Sequence, residues 1–248
     1  MQKLVLILMV FVMSVQLSGC SSMPTSERLQ AVKARLEAML RSEVKQAQLE
    51  YGSAAYIRIF KEERELEVWL KLKNSQQYAL FRTYPICTYS GALGPKLQEG
   101  DKQAPEGFYK VGAEQLNPWS QYHLSFNLGF PNNFDRALGR TGSLLMVHGG
   151  CESIGCYAMT DSYMEDIYLL TEASIANGHD VPVHIFPFRM EIDNMLPHRE
   201  SEWLEFWINL KQGYDLFERY RIPPRVGVQT DQFGAKYVFD MPAPSRLF

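Results

Sequence analysis

The spacing of apolar residues changes several times along the chain, and each change predicts an element. From residue 26 to about residue 52, Leu29, Val32, Leu36, Met39, Leu40, Val44 and Ala47 recur at three- and four-residue steps with charges between them, which predicts an amphipathic helix. Its intermixed Glu and Lys/Arg suit packing against a following domain better than lying on a membrane. The period then drops to two. Residues 55–60 and 65–70 alternate β-branched or aromatic with charged side chains on either side of Lys61-Glu62-Glu63-Arg64, which predicts a β-hairpin. Further strands are expected at 78–84, around 107–111, at 144–148 and at 181–186, divided by Gly, Pro and Asn clusters. Helical spacing returns twice. A Ser162/Glu165 capping box opens a helix to about Ala176, stopped near Gly178, and a second helix runs from Glu200 to about Tyr220, ahead of Pro223-Pro224. The stripe of Trp203, Leu204, Phe206, Trp207, Leu210 and Phe217 on the latter has core spacing, so it reads as packing rather than as a carbohydrate platform. The expectation is a mainly β protein with flanking helices.

Composition fits one principal domain with additions at its ends, because 248 residues with 46% hydrophobic and 12% aromatic content can bury a substantial core. A net charge of −3 leaves no basic excess to neutralise phosphates and argues against nucleic acid as a partner. At the start, Lys3 precedes an apolar run over 4–15 that is too short to span a bilayer and has the length of a secretory signal core. It leads into Leu17-Ser18-Gly19-Cys20, which resembles the lipobox of bacterial lipoproteins. That resemblance implies cleavage before Cys20, acylation of its thiol and a membrane partner reached through the lipid; the alternative is an ordinary cleaved signal with a chance cysteine. Ser21 rather than Asp after the cysteine resembles Gram-negative lipoproteins held at the periplasmic face of the outer membrane.

Chemistry concentrates in Met146-Val147-His148-Gly149-Gly150-Cys151-Glu152-Ser153-Ile154-Gly155-Cys156-Tyr157, a histidine and two cysteines in a glycine-rich turn after an apolar strand. Glycines let the backbone approach a substrate and take positive φ. A thiol of ordinary pKa is only a few per cent thiolate at neutral pH, so a cysteine nucleophile needs a proton acceptor within about 3 Å, and His148 is the candidate base for Cys156. The Cys156 N–H beside Gly155, with Gly149 near, is a candidate oxyanion donor, and Ser153 a candidate to orient the imidazole or the substrate.

This segment resembles the signature of the YkuD-type L,D-transpeptidases, in which an upstream His-Gly and a downstream Ser-x-Gly-Cys supply base and nucleophile; His148-Gly149 and Ser153-Ile154-Gly155-Cys156 occupy those positions. Residues 100–109 are similar to the family's strand entry and 80–87 to the strand before it, so the likeness covers roughly 55–188. Three departures stand out: a short gap between His148 and Cys156, Ile154 where many members have a second histidine, and Tyr157-Ala158-Met159 in place of an arginine-containing sequence. These resemble the YafK-like branch, as do Gly139-Arg140-Thr141-Gly142, Phe186-Pro187-Phe188 and the region from Trp203 to Pro224. The resemblance implies a YkuD-like β-sandwich or mixed-sheet catalytic domain, no cofactor, and a Cys156 acyl-enzyme formed on diaminopimelate-containing peptidoglycan stem peptides. Its acyl group then passes to an amine or to water, and the branch is associated with water, releasing wall-attached lipoprotein.

The expected divisions are a signal peptide over 1–19, tether and helix over 20–53, the catalytic domain over 54–188 and a helical C-terminal extension over 189–248. Tyr122, His123, Asn127 and the Pro131-Asn132-Asn133-Phe134 turn are candidates to line the acceptor side of the groove, with surface-loop roles as the alternative, and Arg140 is a candidate to meet a substrate carboxylate bidentately, with a structural ion pair as the alternative. Of four cysteines, Cys20 is assigned to lipid and Cys156 must stay a thiol, which leaves Cys87 and Cys151 to form a disulfide or to remain buried thiols; a Cys151–Cys156 disulfide is the rarer alternative. No metal is expected, although His148, Cys151, Cys156 and Cys87 make a chemically plausible zinc set. A wall-binding lipoprotein without catalysis is the remaining alternative.

Overall fold

A computed structural model describes residues 23–232 and 234–241; the expected export segment and Cys20 lie outside the described residues. In chain order the elements are α1 (Glu27–Gln46), β1 (Ala55–Phe60), β2 (Glu65–Lys71), β3 (Tyr78–Pro85), β4 (Thr88–Tyr89), β5 (Gly107–Val111), β6 (Leu116–Asn117), β7 (Ser125–Asn127), α2 (Asn133–Ala137), β8 (Met146–His148), β9 (Tyr157–Ala158), α3 (Asp161–Ala176), β10 (Val181–Phe186), α4 (Ile192–Met195), α5 (Leu204–Tyr220), β11 (Arg225–Asp231) and β12 (Gly234–Asp240).

The strands form two five-stranded sheets, ordered β3-β2-β1-β10-β5 and β4-β9-β8-β7-β6, and a separate β11-β12 hairpin. Each large sheet is mixed: β1 runs parallel to β10, β8 runs parallel to β9, and the remaining pairs are antiparallel. A parallel pair needs a crossover. The one between β8 and β9 is the glycine-rich segment itself, only eight residues long by the bounds of the two strands, against the dozen or more usual for such a connection. It contains no helix. Its compactness brings the start of β9 directly alongside β8.

Between the sheets lies one continuous core that includes Ile57, Ile59, Val68, Leu70, Val111, Phe126, Val147, Tyr157 and Ile185. Leu29, Val32, Leu40 and Val44 bury the apolar stripe of α1 in that core, and Lys33 reaches Glu172 on α3 at 2.7 Å, so the helix packs on the domain as its charge pattern implies. It ends at Gln46, earlier than the spacing predicts, and Gln48 then takes a positive φ of 60°. A second cluster joins α5 through Trp207, Leu210 and Tyr214 to Phe60, Phe108, Phe186 and Phe188, which makes the aromatic stripe core.

Two expectations change. The cap of α3 is Thr160, whose Oγ1 accepts the Tyr163 N–H, while Ser162 sits inside the first turn and Glu165 is drawn instead to Arg35 and His123. The C-terminal extension is not only helical, because β11 and β12 pair over seven residue positions after α5.

A buried ion pair fastens α5 to the sheets. Lys61 Nζ lies 3.0 Å from Glu106 Oε1, both side chains fully buried, and Glu106 also accepts the Trp207 indole N–H at 2.8 Å and the Gly94 N–H at 2.6 Å. Lys61 donates further to the Gly94 carbonyl at 2.8 Å, so the loop ahead of β5 hangs from the same pair. Burial pushes the Lys61 ammonium below its ordinary pKa, with the Glu106 charge opposing.

Candidate active site

Register alone brings the candidate base and nucleophile together. Val147 pairs with Tyr157 and His148 with Ala158, so Cys156, one residue before β9, lies alongside Met146. The Met146 N–H donates to Cys156 Sγ at 3.4 Å, which confirms the placement. Val147 and Tyr157 point into the core; Met146, His148 and Cys156 therefore share the opposite face. His148 and Cys156 are diagonal neighbours on adjacent strands, a relation that separates Cα atoms by about 7–8 Å and lets side chains converge.

The imidazole is oriented by its backbone. His148 Nδ1 lies 2.6 Å from the Gly149 carbonyl oxygen, an acceptor only, so Nδ1 carries the proton and Nε2 keeps its lone pair. Tyr122 lies over the ring at 4.8 Å between centroids. Burial holds His148 below the usual histidine pKa, against the opposing effect of the Gly149 hydrogen bond. Burial also raises the Cys156 thiol above its ordinary value, more than the Met146 N–H and the Lys96 charge lower it. Both shifts favour a neutral thiol and a neutral imidazole.

Ser153 shapes the turn that carries the candidate nucleophile. Its Oγ accepts the Cys156 N–H at 3.1 Å and donates to the Cys156 carbonyl at 2.8 Å. Gly155 beside it has φ +119°, and an added Cβ would meet only ordinary contacts, so its requirement is conformational rather than steric. The expected oxyanion arrangement changes accordingly. The Cys156 N–H is committed to Ser153, and the Gly149 N–H is shared between the Tyr122 and Leu124 carbonyls at 3.0 and 3.2 Å. Ser153 touches the nucleophile's backbone rather than the imidazole.

Cys87 and Cys151 form a disulfide with Cα atoms 5.2 Å apart, which leaves Cys156 as a free thiol. The bond settles the alternatives left by the sequence: Cys151 is not available to Cys156, and two members of the zinc set are bonded to each other. It also pins the 149–156 segment to the run-in of β4. The Gly150 N–H adds a hydrogen bond to Asp161 Oδ1 at 2.9 Å.

The candidate groove residues divide. Tyr122 is half exposed and covers His148. His123 turns away, its Nε2 2.9 Å from Glu165, which also pairs with Arg35 at 2.7 Å. Asn127 stands in the same cross-strand row as Met146, but its side-chain oxygen accepts the Gly129 N–H at 2.8 Å and closes a turn. Arg140 takes the ion-pair alternative. Its buried guanidinium pairs with Asp135 at 2.9 Å and lies near the Phe134 and Phe206 rings, so it braces α2 against α5 rather than meeting a substrate carboxylate. Lys96, which pattern reading passes over, is buried and paired with Asp101 at 2.5 Å, and its charge acts on Cys156; nothing local in the sequence marks it.

Residues 54–185 match the YkuD family, the L,D-transpeptidase catalytic domain. The chain belongs to this family. It is 48% identical over 183 residues to the "Putative L,D-transpeptidase YafK" of Escherichia coli strain K12, covering 73% of this chain and 74% of that protein, with the same values for the O157:H7 protein. It is thus a YafK-like L,D-transpeptidase family member with the mixed-sheet YkuD-like fold. Among solved structures, it is similar to the helical cell shape determining protein Pgp2 from Campylobacter jejuni, with 17% identity, 77% of this chain and 80% of that chain covered, and a TM-score of 0.45. Bd1075 from Bdellovibrio bacteriovorus gives 19% identity, 76% and 83% coverage, and a TM-score of 0.39.

Proposed function

We propose that this L,D-transpeptidase family member is a cysteine acyltransferase acting on diaminopimelate-containing peptidoglycan stem peptides, with Cys156 as nucleophile and His148 as base. The observation that carries the reading is the pair's placement on one face of two adjacent strands, with Nδ1–H donated to Gly149 and Nε2 left to take a proton. The Cys156 thiol attacks the peptide carbonyl carbon while its proton passes to His148 Nε2. The C–N bond breaks as the imidazolium returns that proton to the departing amine, leaving a thioester. A second amine or water then attacks the thioester through the same base.

Amine and water share the first half-reaction and differ in what reaches the thioester. In the same proposal, Cys20 carries the lipid and the enzyme works from the periplasmic face of the outer membrane. The test is mass spectrometry of purified wall fragments incubated with wild-type and Cys156→Ala protein. New cross-links would identify transfer to an amine, and loss of an attached lysine or lipoprotein would identify hydrolysis. Cys156→Ala is expected to abolish either change, a loss on the order of 10⁴-fold or more. Fragments altered equally by both proteins would remove Cys156 from the chemistry, and fragments left unaltered by both would favour a wall-binding lipoprotein.

A further inference from the structure

The loop over 118–123, between β6 and β7, connects the N-terminal helix to the candidate base. At one end it is held by α1. Ser26 Oγ, at the cap of that helix, donates to the Pro118 carbonyl at 2.8 Å. Arg28 Nη1 donates to the Ser120 carbonyl at 2.6 Å and also to the His123 carbonyl. Two turns further on, Arg35 meets Glu165 of α3, whose other partner is His123. At the other end the loop meets the site: the Tyr122 ring lies over His148, the Tyr122 carbonyl accepts the Gly149 N–H, and a Cβ on Gly149 would fall 3.0 Å from His123 Cβ. His123 takes a positive φ of 65°, which turns the chain so that its own side chain faces Glu165 while Tyr122 faces His148. For a residue other than glycine that backbone is uncommon and needs holding.

We infer that Arg28 is a positioning residue for His148: by clamping two carbonyls of this loop it keeps Tyr122 closed over the imidazole, and so couples the first turn of α1 to the base. The inference rests on the proposed role of His148 as base, but it concerns how the ring is covered. A guanidinium suits the task because its fork can serve two carbonyls at once, and charged donors make the stronger hydrogen bonds. Tyr122 is itself 46% exposed, whereas the histidine beneath it is 3% exposed. Besides Arg28, the loop is held by Ser26 at Pro118, by Glu165 at His123 and by the Gly149 N–H at the Tyr122 carbonyl.

Loosening the clamp admits water to the ring. Since burial is what depresses the His148 pKa, an uncovered imidazole returns toward its ordinary value. The charged groups arranged around it are Arg28 and Arg35 on α1, His123 on the loop, Asp161 and Glu165 on α3, and the Cys156 thiol on its own sheet. The base must be neutral to act, so a raised pKa moves the acid limb of the pH–rate profile upward.

The test is an NMR titration of the His148 imidazole in the full chain, alongside the acid limb of kcat. Arg28→Ala should raise both midpoints together by about half a pH unit or more. Arg28→Lys, which keeps a charged donor, should restore most of the shift, and Arg41→Ala, which breaks a surface pair elsewhere on α1, should leave the midpoint in place. Tyr122→Ala strips the cover without touching the clamp and should reproduce the effect even if Arg28→Ala fails to fold. An unmoved His148 midpoint in Tyr122→Ala, or in folded Arg28→Ala, would overturn the inference. Because the titration needs no turnover, a failure of the proposed acyl transfer would show separately, as activity surviving in Cys156→Ala.

Discussion

The two large sheets are built from unequal material. In the first, β1, β2, β3 and β10 run six to eight residues each, and their backbone ladders do most of the holding. In the second, no strand exceeds three residues, and the candidate site is held by other means: the Cys87–Cys151 bond, the Ser153 turn, Asp161 on Gly150 and Arg28 on the 118–123 loop. Each sheet also carries a buried histidine kept neutral by desolvation. His184 in the first is pushed down to about 3, with its Nδ1 2.9 Å from the Tyr56 hydroxyl and the Tyr56 and Phe108 rings on either side. His148 has nearly the same small exposure but only a half-exposed tyrosine above it. The histidine of the first sheet lies among buried rings, whereas the candidate base lies under a ring that meets solvent.

If the first sheet carries stability and the second carries chemistry, substitutions in the two should break different observables. The largest stability effect is expected for Glu106→Ala, which strands the Lys61 ammonium in the core and also removes the acceptor of the Trp207 indole. Breaking a buried pair from one side costs about 3–5 kcal/mol, read as a drop in denaturant midpoint, while turnover per folded molecule should stay close to wild type. A cost below about 1 kcal/mol would mean that the pair is not a main fastening of α5. Replacing Cys87 and Cys151 by serine should cost somewhat less, about 2–4 kcal/mol. Here the activity of the folded fraction should fall as well, because the bond pins the segment between His148 and Cys156. Full activity in that double variant would erase the contrast between the sheets.

Much of the first sheet was legible because long alternating runs such as Ala55–Phe60 mark strands, although all six of these residues are buried, Arg58 through its pair with Glu67. The candidate pair was legible for a different reason: His148, Gly155 and Cys156 sit in a segment whose glycines and thiols make little sense as core. The second sheet was hardly legible, since strands of two residues such as β4 and β9 are defined by their partners and carry no period of their own. β11 and β12 were missed although Val226 and Val228, then Tyr237 and Phe239, alternate; the helical stripe just before them drew the reading toward helix. For Arg140 the sequence left both a substrate contact and an ion pair open, and the fold supplies Asp135 and two aromatic rings as its partners. Nothing local in the sequence marks Arg28, since its carbonyl partners lie more than ninety residues away.

The smallest expected effect bears on the least conventional feature of the second sheet, the Ser153 hydroxyl that holds both the N–H and the carbonyl of Cys156. Removing it in Ser153→Ala leaves the ladder and the disulfide in place. The loss is about one or two ordinary hydrogen bonds, each worth about 1 kcal/mol, so turnover should fall roughly fivefold to thirtyfold with little change in melting temperature. Ser153→Thr keeps the hydroxyl and should stay near wild type. The sign of the change is informative, because Ser153 competes with any developing oxyanion for the same Cys156 N–H. A fall in turnover means that the turn's shape limits the reaction and that oxyanion stabilisation draws on other donors. Faster turnover in Ser153→Ala would mean that the N–H is needed in the transition state and that the serine holds it back, which would make the second sheet a place where stability is traded against chemistry at a single hydrogen bond.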